Sequence, residues 1–308
     1  MKTPLYPVIN KCLEKELKKR YQTFKELRSD LEPLLKRETG EGIALPEEKA
    51  LEAWELNNKG VSFYHINAFS QAIESLDKAL RMNPQFKEAW LNKGNVHLKN
   101  QRYQDALNCY LKALDIDPNC ELTWNNSGIC IKEMGYQEKA IGCYNKALDI
   151  NPTHEPAWSN KGDALFRMAN YDEAIICFDN ALKINPNADN AWYGKGNCLK
   201  EMKKYSEALT CYDATVKIDP LHDYAWYNMG CIFYEIGDFS NAISCSNRAI
   251  TIRPNMANAW HAKALAEDES ELFGDAIYSY KQFIEVASSE YKEQIEYARQ
   301  RLKKLLEK

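Results

Sequence analysis

Four series of residues in this chain advance by one common step. Trp90, Trp124, Trp158, Trp192, Trp226 and Trp260 each stand 34 residues after the last. Gly60, Gly94, Gly128, Gly162, Gly196 and Gly230 keep that step, and Ala264 continues it. Ala72, Ala106, Ala140, Ala174, Ala208, Ala242 and Ala276 form a third series. Pro84, Pro118, Pro152, Pro186, Pro220 and Pro254 form a fourth, usually after Asn or Asp. A period of this length restricts the chain to an array, in which one local unit recurs and buries its apolar face against its neighbours. Each unit divides into two helices. Trp90, Gly94 and Leu98 recur every fourth residue on one helical stripe, and after a turn at Lys99–Arg102, Tyr103, Ala106, Tyr110 and Ala113 make a second. Pro118 disfavours helical geometry at Asp117 and ends that helix. Small residues at 94 and 106 let the two helices approach closely, and the Trp and Tyr rings fill the remaining space.

W-x3-G followed by Ala, Tyr or Phe, Ala and Pro at this spacing resembles the tetratricopeptide repeat, over seven units and residues 53–290. The resemblance implies an all-α fold, a right-handed superhelix of antiparallel helix pairs. The departures are local. Repeat one puts Leu56 at the tryptophan position with Trp54 displaced by two, and repeat three places Tyr136 one residue early in its turn. Thr215 and Ser246 replace an Ala and an aromatic, and repeat seven lacks the closing proline, so its second helix is expected to run on towards Val286. SEYKEQIEYARQRLKKLL, from Ser289, suits the polar capping helix such stacks need for solubility. The expected division is a helical segment over 1–36, a linker over 37–46, seven repeats over 47–290 and a capping helix over 291–308.

Net charge is −4 with acids and bases interspersed, which argues against nucleic acid or an anionic membrane as the main partner. No apolar run approaches the roughly 20 residues of a membrane span, and the first residues lack a secretory signal. The chain therefore reads as cytoplasmic. Of ten cysteines, Cys109, Cys143, Cys177, Cys211 and Cys245 share the 34-residue step, and no CxxC pair starts a zinc site. Equivalent positions in a stack of helix pairs lie too far apart for a disulfide, so the cysteines read as small buried thiols in a reducing compartment. His65, His97, His154, His222 and His261 form no metal-ligand spacing. DIDPN at 115–119 lacks the Gly and Glu of a calcium loop, and YGKGNC at 193–198 follows no strand. No catalytic constellation, metal or cofactor is expected.

The candidate site is a row of amides. AWLNKG at 89–94 returns as TWNNSG, AWSNKG, AWYGKG, AWYNMG and AWHAKA. At about 100° per residue, Trp and Gly share one side of their helix, and the residue two after Trp faces away from it. The resemblance implies that the first helix of each hairpin lines a concave groove, where Asn58, Asn92, Asn126, Asn160 and Asn228 form a row that Gly194 and Ala262 interrupt. A primary amide both donates and accepts, which suits it to the backbone of an extended peptide. A comparable asparagine ladder holds substrate polypeptide in the tetratricopeptide groove of O-linked N-acetylglucosamine transferase. The alternative is that these amides bond only water or a neighbouring helix. The clamp for carboxy-terminal carboxylates is not assembled, since Asn95 comes with Leu91 and Asn197 with Tyr193 where lysines would be needed. Tyr193, Tyr227 and His261 offer stacking surface to a ligand. Lys59, Lys93, Lys161, Lys195 and Lys263 are expected to pack their stems between helices and extend their ammonium groups to water. Glu133, Glu201, Glu235 and Glu269 suggest an acidic lip.

The first residues do not follow the period. INKCLEKELKKRYQTFKELRSDLEPLL at 9–35 resembles the last two helices of a Hanks-type serine/threonine kinase domain, through Cys12, Leu13 and Arg20, with Glu16–Leu17 replacing the usual Asp-Pro. No Gly-rich loop, HRD or DFG motif accompanies them. The leading expectation is thus a non-enzymatic scaffold that binds an extended peptide segment of a protein partner. The alternatives are a regulatory or substrate-targeting carboxy-terminal fragment of a kinase, and a self-assembling solenoid, so homo-oligomerisation stays open.

Overall fold

A computed structural model describes residues 48–307, with Lys11, Glu26, Leu27, Ser29, Asp30, Leu31, Pro33 and Leu34 before them. The residues that carry the kinase resemblance, Cys12, Leu13, Glu16, Leu17 and Arg20, and the linker at 37–46 lie outside the described residues. From residue 48 onward every described element is a helix. Two compact units divide at Ile150 and Asn151.

The first unit holds α1 (Glu48–His65), α2 (Phe69–Met82), α3 (Lys87–Lys99), α4 (Tyr103–Ile116), α5 (Glu121–Glu133) and α6 (Gln137–Ile150). The second holds α7 (Glu155–Arg167), α8 (Tyr171–Ile184), α9 (Asp189–Glu201), α10 (Tyr205–Ile218), α11 (Asp223–Glu235), α12 (Phe239–Ile252), α13 (Ala257–Glu269) and α14 (Phe273–Val286). It closes with a 3-10 turn at Ser289–Tyr291 and α15 (Lys292–Leu306). Within each unit consecutive helices pack as antiparallel pairs, and pair stacks on pair as a solenoid. First helices also touch one another, α1 with α3, α3 with α5, α7 with α9 and α11 with α13. The second helix of repeat seven ends at Val286, and the capping helix α15 packs on it through Ala298, Leu302 and Leu305.

Short polar devices set the boundaries. Asn83, Asp117, Asn151, Asn185 and Asp219, each just before its proline, accept through Oδ1 the backbone N–H two residues on, at 3.0–3.1 Å. These Asx turns compete with helix and stop the second helices where proline already disfavours continuation. Each of the six tryptophans of the 34-residue series then donates its indole N–H to the carbonyl of the proline six residues earlier, at 2.8–3.2 Å. The Trp and Pro series thus share a period because they share a bond, which ties each first helix to the turn that delivers it.

Inside each hairpin the small residue meets the ring. A Cβ on Gly94, Gly128 or Gly196 would stand 2.4, 2.5 or 2.7 Å from Cε1 of Tyr110, Tyr144 or Tyr212. The tyrosines are fully buried, and every alanine of the third series is at most 1% exposed. Among the described residues, no helix is long and apolar enough to cross a membrane.

Candidate functional site

Three members of the asparagine row, Asn92, Asn126 and Asn228, form joints between hairpins. Asn92 Nδ2 donates to Asn57 Oδ1 of the preceding first helix at 2.9 Å. Asn126 Nδ2 donates to Asn95 Oδ1 at 3.1 Å, and Asn228 Nδ2 to Asn197 Oδ1 at 3.0 Å. Tyrosines complete two of these joints. Tyr110 Oη donates to Asn95 Oδ1 at 2.8 Å, and Tyr212 Oη to Asn197 Oδ1 at 2.7 Å. Each of these two joints therefore links a second helix, its own first helix and the next first helix through one amide oxygen. A bond of this kind contributes about 0.5–1.5 kcal/mol.

The five asparagines differ in what they leave open. Asn58, Asn92 and Asn126, successive first-helix positions of one unit, are half-buried. Asn58 Oδ1 faces Asn57 Nδ2 at 3.4 Å, and Asn126 Oδ1 accepts from Asn125 at 3.2 Å. Asn160, in α7, is half-buried too. Asn228 is 6% exposed. Its amide nitrogen also reaches Tyr193 Oη at 3.3 Å, and its oxygen accepts from Lys200 Nζ at 3.3 Å, so both amide hydrogens and one oxygen lone pair are used within the fold. Asn95 and Asn197, noted in the sequence for an unassembled carboxylate clamp, are the acceptors of the joints. Sequence spacing alone held no signal of that pairing, because donor and acceptor lie 31 residues apart on different helices.

The three aromatic candidates are also divided. Tyr193 packs at a tilt against His222 with ring centroids 4.5 Å apart and lines a pocket on the first-helix side of α7 and α9. Tyr227 packs against Ala249, Met256 and Ala259, and burial raises its hydroxyl above the ordinary tyrosine range. His261 lies against Phe283 at 4.7 Å and Tyr297 at 6.4 Å, held by the last hairpin and the capping helix. Burial lowers its pKa.

The lysines do not simply extend to water. Lys93, Lys161, Lys195 and Lys263 place Nζ 5.4–5.9 Å from the ring centroid of the tryptophan three residues before, a cation–π geometry. Lys93 also pairs with Asp77 and Lys195 with Asp179, each at 2.7 Å. Two aspartates of second helices thus draw these ammonium groups back over the indoles. The expected acidic lip is partly neutralised, since Lys132 stands 3.5 Å from Glu133 and Lys200 3.7 Å from Glu201.

The nine described cysteines are free thiols. Burial pushes Cys130 and Cys198 up to about 12, and Cys109, Cys211 and Cys245 up to about 11. Thiols so held are neutral packing groups. Among the described residues, no three His, Cys, Asp or Glu side chains group so as to hold a metal ion.

The tetratricopeptide repeat family matches this chain at residues 88–120, 123–154, 156–188, 190–221 and 223–256, together more than half its length. The hairpins α1–α2 and α13–α14 have the same architecture outside the matched segments. No curated protein sequence matches the chain. Among solved structures, a tetratricopeptide repeat protein from Parabacteroides merdae is 22% identical with a TM-score of 0.61, over 83% of this chain and 99% of that one. The Pseudomonas aeruginosa pilF structure is 19% identical with a TM-score of 0.62, over 71% and 99%. A chain of the APC/C hetero-tetramer Cut9-Hcn1 is 15% identical with a TM-score of 0.65, over 90% of this chain and 52% of that one. At these identities the likeness is one of fold.

Proposed function

The chain belongs to the tetratricopeptide repeat family, and from that premise we propose that it is a non-enzymatic scaffold that holds an extended segment of a protein partner. The segment lies along the first helices, where the asparagine row meets its backbone. The observation that carries this reading is that Asn58, Asn92 and Asn126 stay half-buried at equivalent positions of three successive first helices. The joint bond of Asn92 uses one of its two amide hydrogens, so joint and ladder are compatible duties of one side chain. The backbone of an extended strand offers N–H and C=O groups at a regular rise whatever its side chains are. A row of amides on a rigid stack meets that pattern with little ordering cost.

The test uses peptides selected against the full chain from a random displayed library. Calorimetry compares wild type with an Asn58→Ala, Asn92→Ala, Asn126→Ala variant whose helical signal and melting are first shown to be intact. The expected result is binding weaker by about tenfold or more, the scale of one or two lost hydrogen bonds. N-methylation of the selected peptide's backbone should weaken binding as well. Unchanged affinity in both arms refutes the backbone-reading ladder.

A further inference from the structure

The row breaks at Gly194, and the break is built from three coordinated positions. At the joints of the second with the third hairpin and the fifth with the sixth, the same three places hold tyrosine, asparagine and asparagine: Tyr110, Asn95 and Asn126, and Tyr212, Asn197 and Asn228. Between the fourth and fifth hairpins they hold Phe178, Asp163 and Gly194. Phe178 has no hydroxyl to donate. Its ring lies so close over Gly194 that a Cβ there would stand 2.3 Å from the ring Cζ. An asparagine at 194 therefore has no room and no amide joint forms there; Gly194 and Phe178 instead line an open pocket of about 530 Å³. A volume of this order suits a ligand group.

Its lining includes Glu155, Ser159, Asp163, Phe166, Phe178 and Tyr193, and holds two carboxylates with no Lys, Arg or His. We propose that this pocket receives the basic side chain, lysine or arginine, of the segment held along the first helices. The proposal rests on the peptide-holding reading above for the origin of that side chain. Charge and shape both favour a cation. Asp163 pairs with Arg167 at 3.4 Å across a solvent-accessible helix face, which leaves Glu155 as uncompensated charge in the lining. Burial first, and then the field of Asp189, raise the Glu155 carboxyl above its ordinary value. An incoming cation relieves that strain by favouring the charged carboxylate. The rings of Phe166, Phe178 and Tyr193 give its stem and charged head an aromatic wall. At the neighbouring joint the equivalent space is closed by the Asn197, Tyr212 and Asn228 bonds, whereas here the row gives way to a side-chain pocket.

The experiment titrates the full isotope-labelled chain with Nα-acetyl-arginine methylamide, followed by amide resonances. Nα-acetyl-citrulline methylamide, of the same shape without the charge, is the control. A single amidated residue carries too little backbone to use the asparagine row, so failure here leaves the ladder standing, and failure of the ladder leaves this result standing. The expected result is saturable shifts confined to α7–α9, with citrulline weaker by about fivefold or more, the scale of one cation–π contact. A Glu155→Gln, Asp163→Asn variant should lose that preference. Equal shifts from both probes overturn the proposal, as do shifts outside α7–α9 or an unchanged preference in the double variant. Should the variant not fold, the two probes on wild type decide alone.

Discussion

Gly196 and Gly230 occupy the same place in successive hairpins but face different neighbours. A Cβ on Gly196 would press into the buried Tyr212 ring at 2.7 Å, whereas at Gly230 the nearest atom is the hydroxyl of Ser246 at 3.1 Å. Gly196→Ala should therefore cost about 1–3 kcal/mol as overpacking. Gly230→Ala should lie within about 1 kcal/mol of wild type, because helix propensity gained offsets a small shift of Ser246. Urea denaturation of the two variants measures the contrast, and equal losses would show that the aromatic partner does not set the need for glycine. The periodic glycine was legible in the sequence, and so was Ser246 as a departure. The indole-to-proline bond was not, although both residues were plain to see. Series with one period can be bonded or merely parallel, and only coordinates separate the two.

At the scale of the element, the helix pairs were legible almost to the residue, because Pro and Asx residues end the second helices by local chemistry. The turns inside the hairpins were less so. Each contains one residue in the left-handed region: Gly135 and Gly237 at φ 92° and 80°, and Asn67, Gln101, Ala169, Lys203 and Glu271 at 56–60°. Five non-glycine residues hold a conformation that costs L-residues about 1–2 kcal/mol, which the packed helices on either side impose. Ala169 has no side chain that could offset this by bonding locally. Ala169→Gly should raise stability by up to about 1 kcal/mol, the relieved strain being reduced by the greater freedom of glycine in the unfolded chain. A loss of stability would show that Ala169 is unstrained there.

At the scale of the whole molecule, the end of the second unit holds one source of pH dependence, and buried His97 in the first unit, its pKa lowered by the same cause, is another. The capping helix is clamped by Arg301, whose Nη2 donates to Asp268 Oδ1 at 2.8 Å, while Tyr280 Oη donates to Oδ2 at 3.2 Å. Beside the clamp, His261 is enclosed with its Nε2 buried and no hydrogen-bond partner. Burial keeps its folded pKa below the ordinary 6.5, so the unfolded chain takes up the proton first. Its contribution is complete above about pH 6.5 and is lost as pH falls below that value, by at most about 1.4 kcal/mol per pH unit. Wild type should lose more stability than His261→Phe between pH 7.5 and 5.5, read by denaturant midpoints at the two pH values. Parallel losses would assign the pH dependence elsewhere.

The sequence by itself determined the all-helical hairpin, its period and the prolines that end its second helices, because each of these follows from contacts within about one repeat. Tertiary structure alone decided what the amides bond within the fold. Asn95 and Asn197 became acceptors, Asn228 gave both its amide hydrogens to the fold, and Gly194 took a ring in place of an amide, since each outcome depends on which side chain the next hairpin brings within about 3 Å. His261, by sequence a surface for a ligand, packs against Phe283 and Tyr297 for the same reason. Periodicity assigns a residue to a face, and the residues packed against that face settle how much of its bonding remains for a partner.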